Sequence, residues 1–82
     1  MEIKIFTQPK CPNCQAAKEF GKEMEQKGIK TNYFDVTTPD GLAESLMHNV
    51  LSTPSIIILK NNEVVEEFLG TTPLIKEAEK WL

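Results

Sequence analysis

Two thiols three positions apart carry the most reactive chemistry in this chain. Cys11 and Cys14 flank Pro12 and Asn13 and are the only cysteines among 82 residues. A bridge between them closes too small a loop to stabilise a fold much, since that stabilisation grows with loop length. The spacing suits reversible thiol–disulfide exchange instead, in which one sulfur attacks as a thiolate and a nearby second sulfur displaces the product. Three steps along a first helical turn place Cys14 beneath Cys11. Pro12 stiffens that turn and withholds one N–H, and Lys10 sets a cation beside Cys11 that favours the thiolate. Three other readings compete. Cysteine can be a small buried hydrophobe. Zinc needs four ligands, and beyond the thiols the chain offers one imidazole, His48. An iron–sulfur cluster would need thiols from a second chain.

The elements around the pair favour exchange. Glu2 to Phe6 alternates polar with apolar, placing Ile3 and Ile5 on one face of a strand that enters the loop Thr7-Gln8-Pro9-Lys10. From Cys11 to Lys27, Ala17, Phe20, Gly21 and Met24 recur at helical spacing. Pro12 suits the first helical position, Gly28 suits a left-handed stop, and Cys11 then falls at the N-cap. A thiol there meets unpaired N–H groups and a partial positive charge, which stabilise an anion. C-x-x-C between a strand and a helix of a βαβ pattern has the context of a redox motif.

Ile29 to Val36 reads as the second strand, with Phe34 and Val36 inward and Tyr33 toward solvent or a helix. Thr37-Thr38-Pro39-Asp40-Gly41 reads as a loop, and Leu42 to His48 as a short helix packing through Leu42, Leu46 and Met47. His48 there serves as a cation capping the helix C-terminus. Val50 to Thr53 links to Pro54 and to Ser55–Leu59, whose unbroken branched run suits a strand buried on both faces. Asn61-Asn62 marks a hairpin turn and Glu63 to Leu69 the returning strand, with Glu63, Glu66 and Glu67 solvating an edge. A last helix follows, capped by Thr71 or Thr72 with Pro73 near its start. Leu74, Ile75, Ala78, Trp81 and Leu82 form its packing side. Phe20, Met24, Met47 and Trp81 are expected core anchors. The order β-α-β-α-β-β-α predicts an α/β fold with a four-stranded mixed sheet. Strand two lies beside strand one, the hairpin on the other side, and helices on both faces.

Composition narrows the partners. Nine lysines with no arginine against twelve acidic residues give a net charge of −3. Without arginine the chain lacks the side chain that makes bidentate phosphate and guanine contacts, so nucleic acid is not an expected ligand. The lysines are scattered rather than clustered, which argues against anionic membranes. The N-terminus has neither a basic region nor an apolar core like a signal peptide, and the expected location is cytoplasmic. Residues 1–82 read as a single domain and a monomer.

With these residues in place, the chain resembles the thioredoxin superfamily. The resemblance rests on Cys11-Pro12-Asn13-Cys14 after a short strand, Thr53-Pro54 before a buried strand, the hairpin, Gly70 and the terminal helix. In its compact form, lacking an extra N-terminal strand and helix, it looks like the glutaredoxin-like proteins. The resemblance implies thiol–disulfide oxidoreductase activity with Cys11 as nucleophile and Cys14 as resolving thiol. It also implies a cis Thr53–Pro54 peptide facing the pair, and substrate contacts at Lys10, Pro12, Asn13, Thr53, Pro54, Gly70 and Thr71. The redox-active disulfide is then the only redox group, with no bound cofactor. Electrons would come from a thioredoxin-reductase-type flavin enzyme using NADPH and pass to protein disulfides, for example ribonucleotide reductase. Glutathione-dependent glutaredoxins carry an aromatic residue in the motif, a lysine shortly before it and a carboxylate after the hairpin. Here Asn13, Gln8 and Leu69-Gly70-Thr71-Thr72-Pro73 stand in those places. Thioredoxins carry Gly-Pro between the cysteines and a buried aspartate where this chain has Ile5. The alternatives are a glutathione-dependent glutaredoxin and a metal or iron–sulfur carrier.

Overall fold

The computed structural model describes residues 1–81. Its elements run β1 (Glu2–Thr7), α1 (Cys14–Gln26), β2 (Lys30–Asp35), α2 (Pro39–Met47), β3 (Ser55–Lys60), β4 (Glu63–Leu69) and α3 (Ile75–Glu79). The strands form one mixed sheet in the order β2-β1-β3-β4. β1 pairs parallel with β2, whereas β1 with β3 and β3 with β4 are antiparallel. This is the compact thioredoxin fold expected above, and among the described residues no helix is long and apolar enough to cross a membrane.

Alternation along β1 sends Ile3 and Ile5 to one face. There they meet Ala17, Phe20 and Met24 of α1, Ile56 and Ile58 of β3, and Ala78 of α3. The other face holds Phe6, Ile57, Leu59 and Val50, with Phe34 and Val36 against them. The five isoleucines of β1 and β3 are fully buried, each stabilising the fold by roughly 1.5–3 kcal/mol. β3 suits its branched run because it is buried on both faces. Asn61 and Asn62 hold φ of 55° and 66°, the paired left-handed conformation of a two-residue hairpin loop, which asparagine tolerates best after glycine. Gly28, at φ 82°, ends α1: its N–H reaches Glu25 C=O and the Ile29 N–H reaches Met24 C=O.

α2 departs from expectation in start and in facing. It begins at Pro39 because Thr38 Oγ1 accepts the Gly41 N–H at 3.1 Å, making Thr38 the N-cap and Pro39 the first helical residue. Its buried residues are Gly41 and Ser45, since the helix lies so close to the end of β2 that a Cβ on Gly41 would overlap the Asp35 carbonyl. Leu42, Leu46 and Met47 are therefore 49%, 64% and 69% exposed, and Met47 is no core anchor. His48 occupies the C-cap position, but its ring turns to β1. Nε2 lies 3.1 Å from Lys4 Nζ, which also binds Glu44 at 2.9 Å. The same nitrogen lies 3.8 Å from the Glu44 carboxylate, so the ring expected to cap the helix end sits instead between Lys4 and Glu44.

α3 is also shorter than expected. Its N-cap is Leu74, without a side-chain cap, and Leu74 is exposed, because Pro73 is buried and the chain stays extended to Leu74 at ψ 151°. Ile75, Ala78 and Trp81 do pack on the core; Leu82 lies outside the described residues.

Tyr33 crosses from β2 over Gly21 of α1, where its hydroxyl donates to Glu25 Oε1. Burial and that carboxylate push its pKa from 10.0 up to about 12. Raised above the unfolded value, it contributes stability present below pH 10 and lost as pH rises through 12. Tyr33 is the only tyrosine, so ultraviolet titration should show one phenolate transition near the upper figure. A transition at the unfolded value would contradict the geometry.

Candidate active site

β1 carries the chain to the C-terminal edge of the parallel pair, where Lys10 turns it with φ of 62°. Cys11 follows, and Pro12-Asn13 form a turn closed by the Cys14 N–H donating to the Cys11 carbonyl at 3.2 Å. α1 then starts at Cys14 with Asn13 as N-cap. Cys11 is thus not the N-cap and Pro12 is not the first helical residue. The left-handed Lys10 and the tight turn delay the helix by two positions. The anion-stabilising helix end still faces the pair, because Cys14 is the first helical residue and Cys11 is bonded to it.

The two sulfurs form a disulfide with Cα atoms 5.3 Å apart, within the usual range for an unstrained backbone. Their environments differ. Cys14 is 2% exposed and packed in the core, whereas Cys11 is only partly covered. Ile5 is fully buried among the apolar side chains of α1 and β3.

The opposite wall is the loop before β3. The Thr53–Pro54 peptide is cis, Pro54 is fully buried, and Thr53 Oγ1 lies 3.8 Å from Cys11 Sγ. Ser55 locks this loop: its hydroxyl donates to the Ser52 carbonyl at 2.7 Å and accepts the Gly70 N–H at 3.1 Å. Gly70 holds φ of 76°, and a Cβ there would press on Ser52 Oγ. Sequence reasoning missed Ser52 and Ser55. The structure brings Lys10, Pro12, Thr53 and Pro54 to the cysteines and ties Gly70 to the same loop. It leaves Thr71 exposed with no hydrogen bond to either wall among the described residues. Asn13 is exposed and its side chain caps nothing.

Two open clefts flank the disulfide and meet at Gln8. One, of about 290 Å³, runs from Thr53 along Val36 and Val50 to Leu42, Leu46 and Leu51 of the α2 side. The other, of about 450 Å³, is lined by both cysteines with Lys10, Gln15 and Lys18. The apolar α2 wall escaped sequence reasoning because Leu42 and Leu46 read as a packing face. The available signal was the small pair Gly41 and Ser45, one turn apart, which marks close helix–sheet contact. Among the described residues no group of three or more His, Cys, Asp or Glu side chains converges to hold a metal.

A family model described as the thioredoxin domain matches residues 1–82. The chain belongs to the thioredoxin-domain family. A probable thioredoxin of Archaeoglobus fulgidus is 33% identical over 57 residues, covering 68% of this chain and 63% of that protein. The chain therefore spans just under two thirds of that relative's length. A thioredoxin of Methanocaldococcus jannaschii is 29% identical over 73 residues, covering 85% of this chain and 79% of that one. Among solved structures, thioredoxin 1 of Thermosipho africanus superposes with a TM-score of 0.81 at 22% identity. That match covers 99% of this chain and 93% of the other, and it shows the shared fold.

Proposed function

We propose that the chain is a thiol–disulfide oxidoreductase that reduces protein disulfides. The observation that carries the reading is the asymmetry of the pair: Cys11 is accessible at the junction of two clefts, while Cys14 is buried beside it. In the reduced chain the Cys11 thiolate attacks one sulfur of a substrate disulfide. A mixed disulfide forms and the first substrate thiolate leaves. Cys14, losing its proton, attacks Cys11 Sγ, and the second substrate thiolate leaves. The substrate gains two electrons and the chain is left with the Cys11–Cys14 disulfide.

Each neighbour has a part in this scheme. Lys10 and the start of α1 favour the Cys11 thiolate. The Thr53 hydroxyl, within sulfur hydrogen-bonding reach, donates to it. The Thr53 backbone, in the loop facing Cys11, pairs with an extended substrate segment, strand to strand, while Pro12, Asn13, Pro54, Gly70 and Thr71 border that segment. The proposed setting is a cytoplasmic monomer without a bound cofactor, reduced by a flavin reductase using NADPH and donating to targets such as ribonucleotide reductase.

Leu69 to Pro73 holds no carboxylate to fix the amino group of glutathione, so glutathione is not the proposed reductant. The oxidised chain, offered glutathione in one reaction and NADPH with a thioredoxin-type reductase in another, should be reduced only in the second. Efficient reduction by glutathione alone would refute that assignment.

A further inference from the structure

The cleft on the α1 side of the disulfide reverses the charge of the molecule. The chain as a whole is at −3, and Glu63, Glu66 and Glu67 line the β4 edge. Yet the lining of the 450 Å³ cleft contains Lys10 and Lys18, the amides of Gln8 and Gln15, and no carboxylate. Neither ammonium takes part in an ion pair among the described residues; the lysines that do are Lys4, Lys27 and Lys80. Two carboxylates stand near but outside. Glu19 accepts from Gln15 at 3.4 Å, one turn further along α1. Asp35 accepts from the Thr37 backbone and hydroxyl, which hold its pKa down, and the Lys18 charge adds to this at longer range. Both lysines thus keep their donors free of ion pairs in the lining of the cleft that holds the two cysteines.

We propose that this cleft receives an acidic side chain of the polypeptide whose disulfide Cys11 attacks, so that the chain selects protein disulfides with aspartate or glutamate close to the reacting cysteine. The inference rests on the disulfide-reductase reading and adds a substrate class to it. A segment lying extended across the disulfide advances about 3.3 Å per residue. A carboxylate within about three residues of the attacked cysteine therefore reaches Lys10 or Lys18. The other half of the segment runs toward Leu46 and Leu51, which fixes its direction: acidic side over α1, apolar side over α2. Charge matching of this kind acts mainly on encounter and orientation and is screened by salt.

The test uses three peptides, each with one internal disulfide, identical except that the residues beside one cysteine are aspartate, serine or lysine. Their second-order rate constants for reduction by the reduced chain are measured at low and high ionic strength. The aspartate peptide should react about fivefold faster than the lysine peptide at low salt, the size expected of two exposed ion pairs, with the ratio shrinking toward one at high salt. Lys18→Glu, which leaves Lys10 as the cleft's one cation and cancels its charge, should bring the ratio to about one, and Lys18→Gln should reduce it less; Lys18 is exposed on α1, so both variants fold.

Equal rates for the aspartate and lysine peptides, or a ratio unmoved in both Lys18 variants, would overturn the inference while reduction of the serine peptide leaves the reductase reading standing. Failure to reduce any of the three would bring down both. Glutathione disulfide reacting faster than the aspartate peptide would also overturn it, by assigning the cleft to a small carboxylate ligand.

Discussion

A Cys14→Ser chain, mixed in reduced form with a disulfide substrate, should accumulate a covalent complex through Cys11, and Cys11→Ser should form none. Both variants should lose turnover in an insulin-reduction assay by at least a hundredfold. The reason lies in how the pair is arranged. Attack needs only an accessible thiolate, and Cys11 keeps its exposed edge, the start of α1 and Lys10 when Cys14 is changed. Release needs a second sulfur at bonding distance, and the closed Cys11–Cys14 bridge shows that the backbone already provides it without rearrangement. Serine at position 14 cannot displace a thiolate, so the mixed disulfide persists until an external thiol arrives. Mass spectrometry of the trapped species, released by dithiothreitol, reads the outcome directly. If Cys11→Ser were the variant that traps, the roles would be exchanged. Wild-type rates in both variants would end the oxidoreductase reading.

The second large effect concerns stability. Gly41→Ala should destabilise the fold by about 3 kcal/mol, seen as a lower midpoint of urea unfolding. The sign is informative, because on propensity alone alanine inside a helix is better than glycine by about 1 kcal/mol. Here the added methyl would overlap the backbone carbonyl of Asp35, which is anchored in β2 and cannot swing away like a side chain. α2 would have to lift, loosening the Lys4–Glu44–His48 contacts that hold its C-terminal half to β1. A stabilised variant would show that α2 does not lie as close to β2 as described.

Much of the architecture was legible from the residues because periodicity and punctuation agreed. Ile3 and Ile5 alternate, Ala17, Phe20 and Met24 repeat at helical spacing, Gly28 stops α1 and Asn61-Asn62 turns the hairpin. The cysteine pair stood out by spacing. What could not be read were choices made by tertiary contact. Thr37 to Gly41 has the composition of a loop, yet Thr38 and Pro39 together are a helix start. Leu42, Leu46 and Met47 look like a packing face to any reading of amphipathicity, but the close approach of α2 favours its small residues. The helix start at Cys14 rather than Pro12 depends on the left-handed Lys10, which no local propensity announces. Gln15 and Lys18 carry no signal of their own in the sequence; the fold sets them in the lining of the cleft that holds the disulfide.

The Ser55 hydroxyl has a bearing on how such a molecule can change. By tying the Ser52 carbonyl to the Gly70 amide, it makes the loop opposite the cysteines and the loop after the hairpin one rigid floor. The two walls that meet this floor, Leu42, Leu46 and Leu51 on one side and Lys18 on the other, are exposed and carry none of the core. Substitutions there can alter partner choice without moving the sulfur, so reactivity and selectivity are separable in this scaffold and can drift independently.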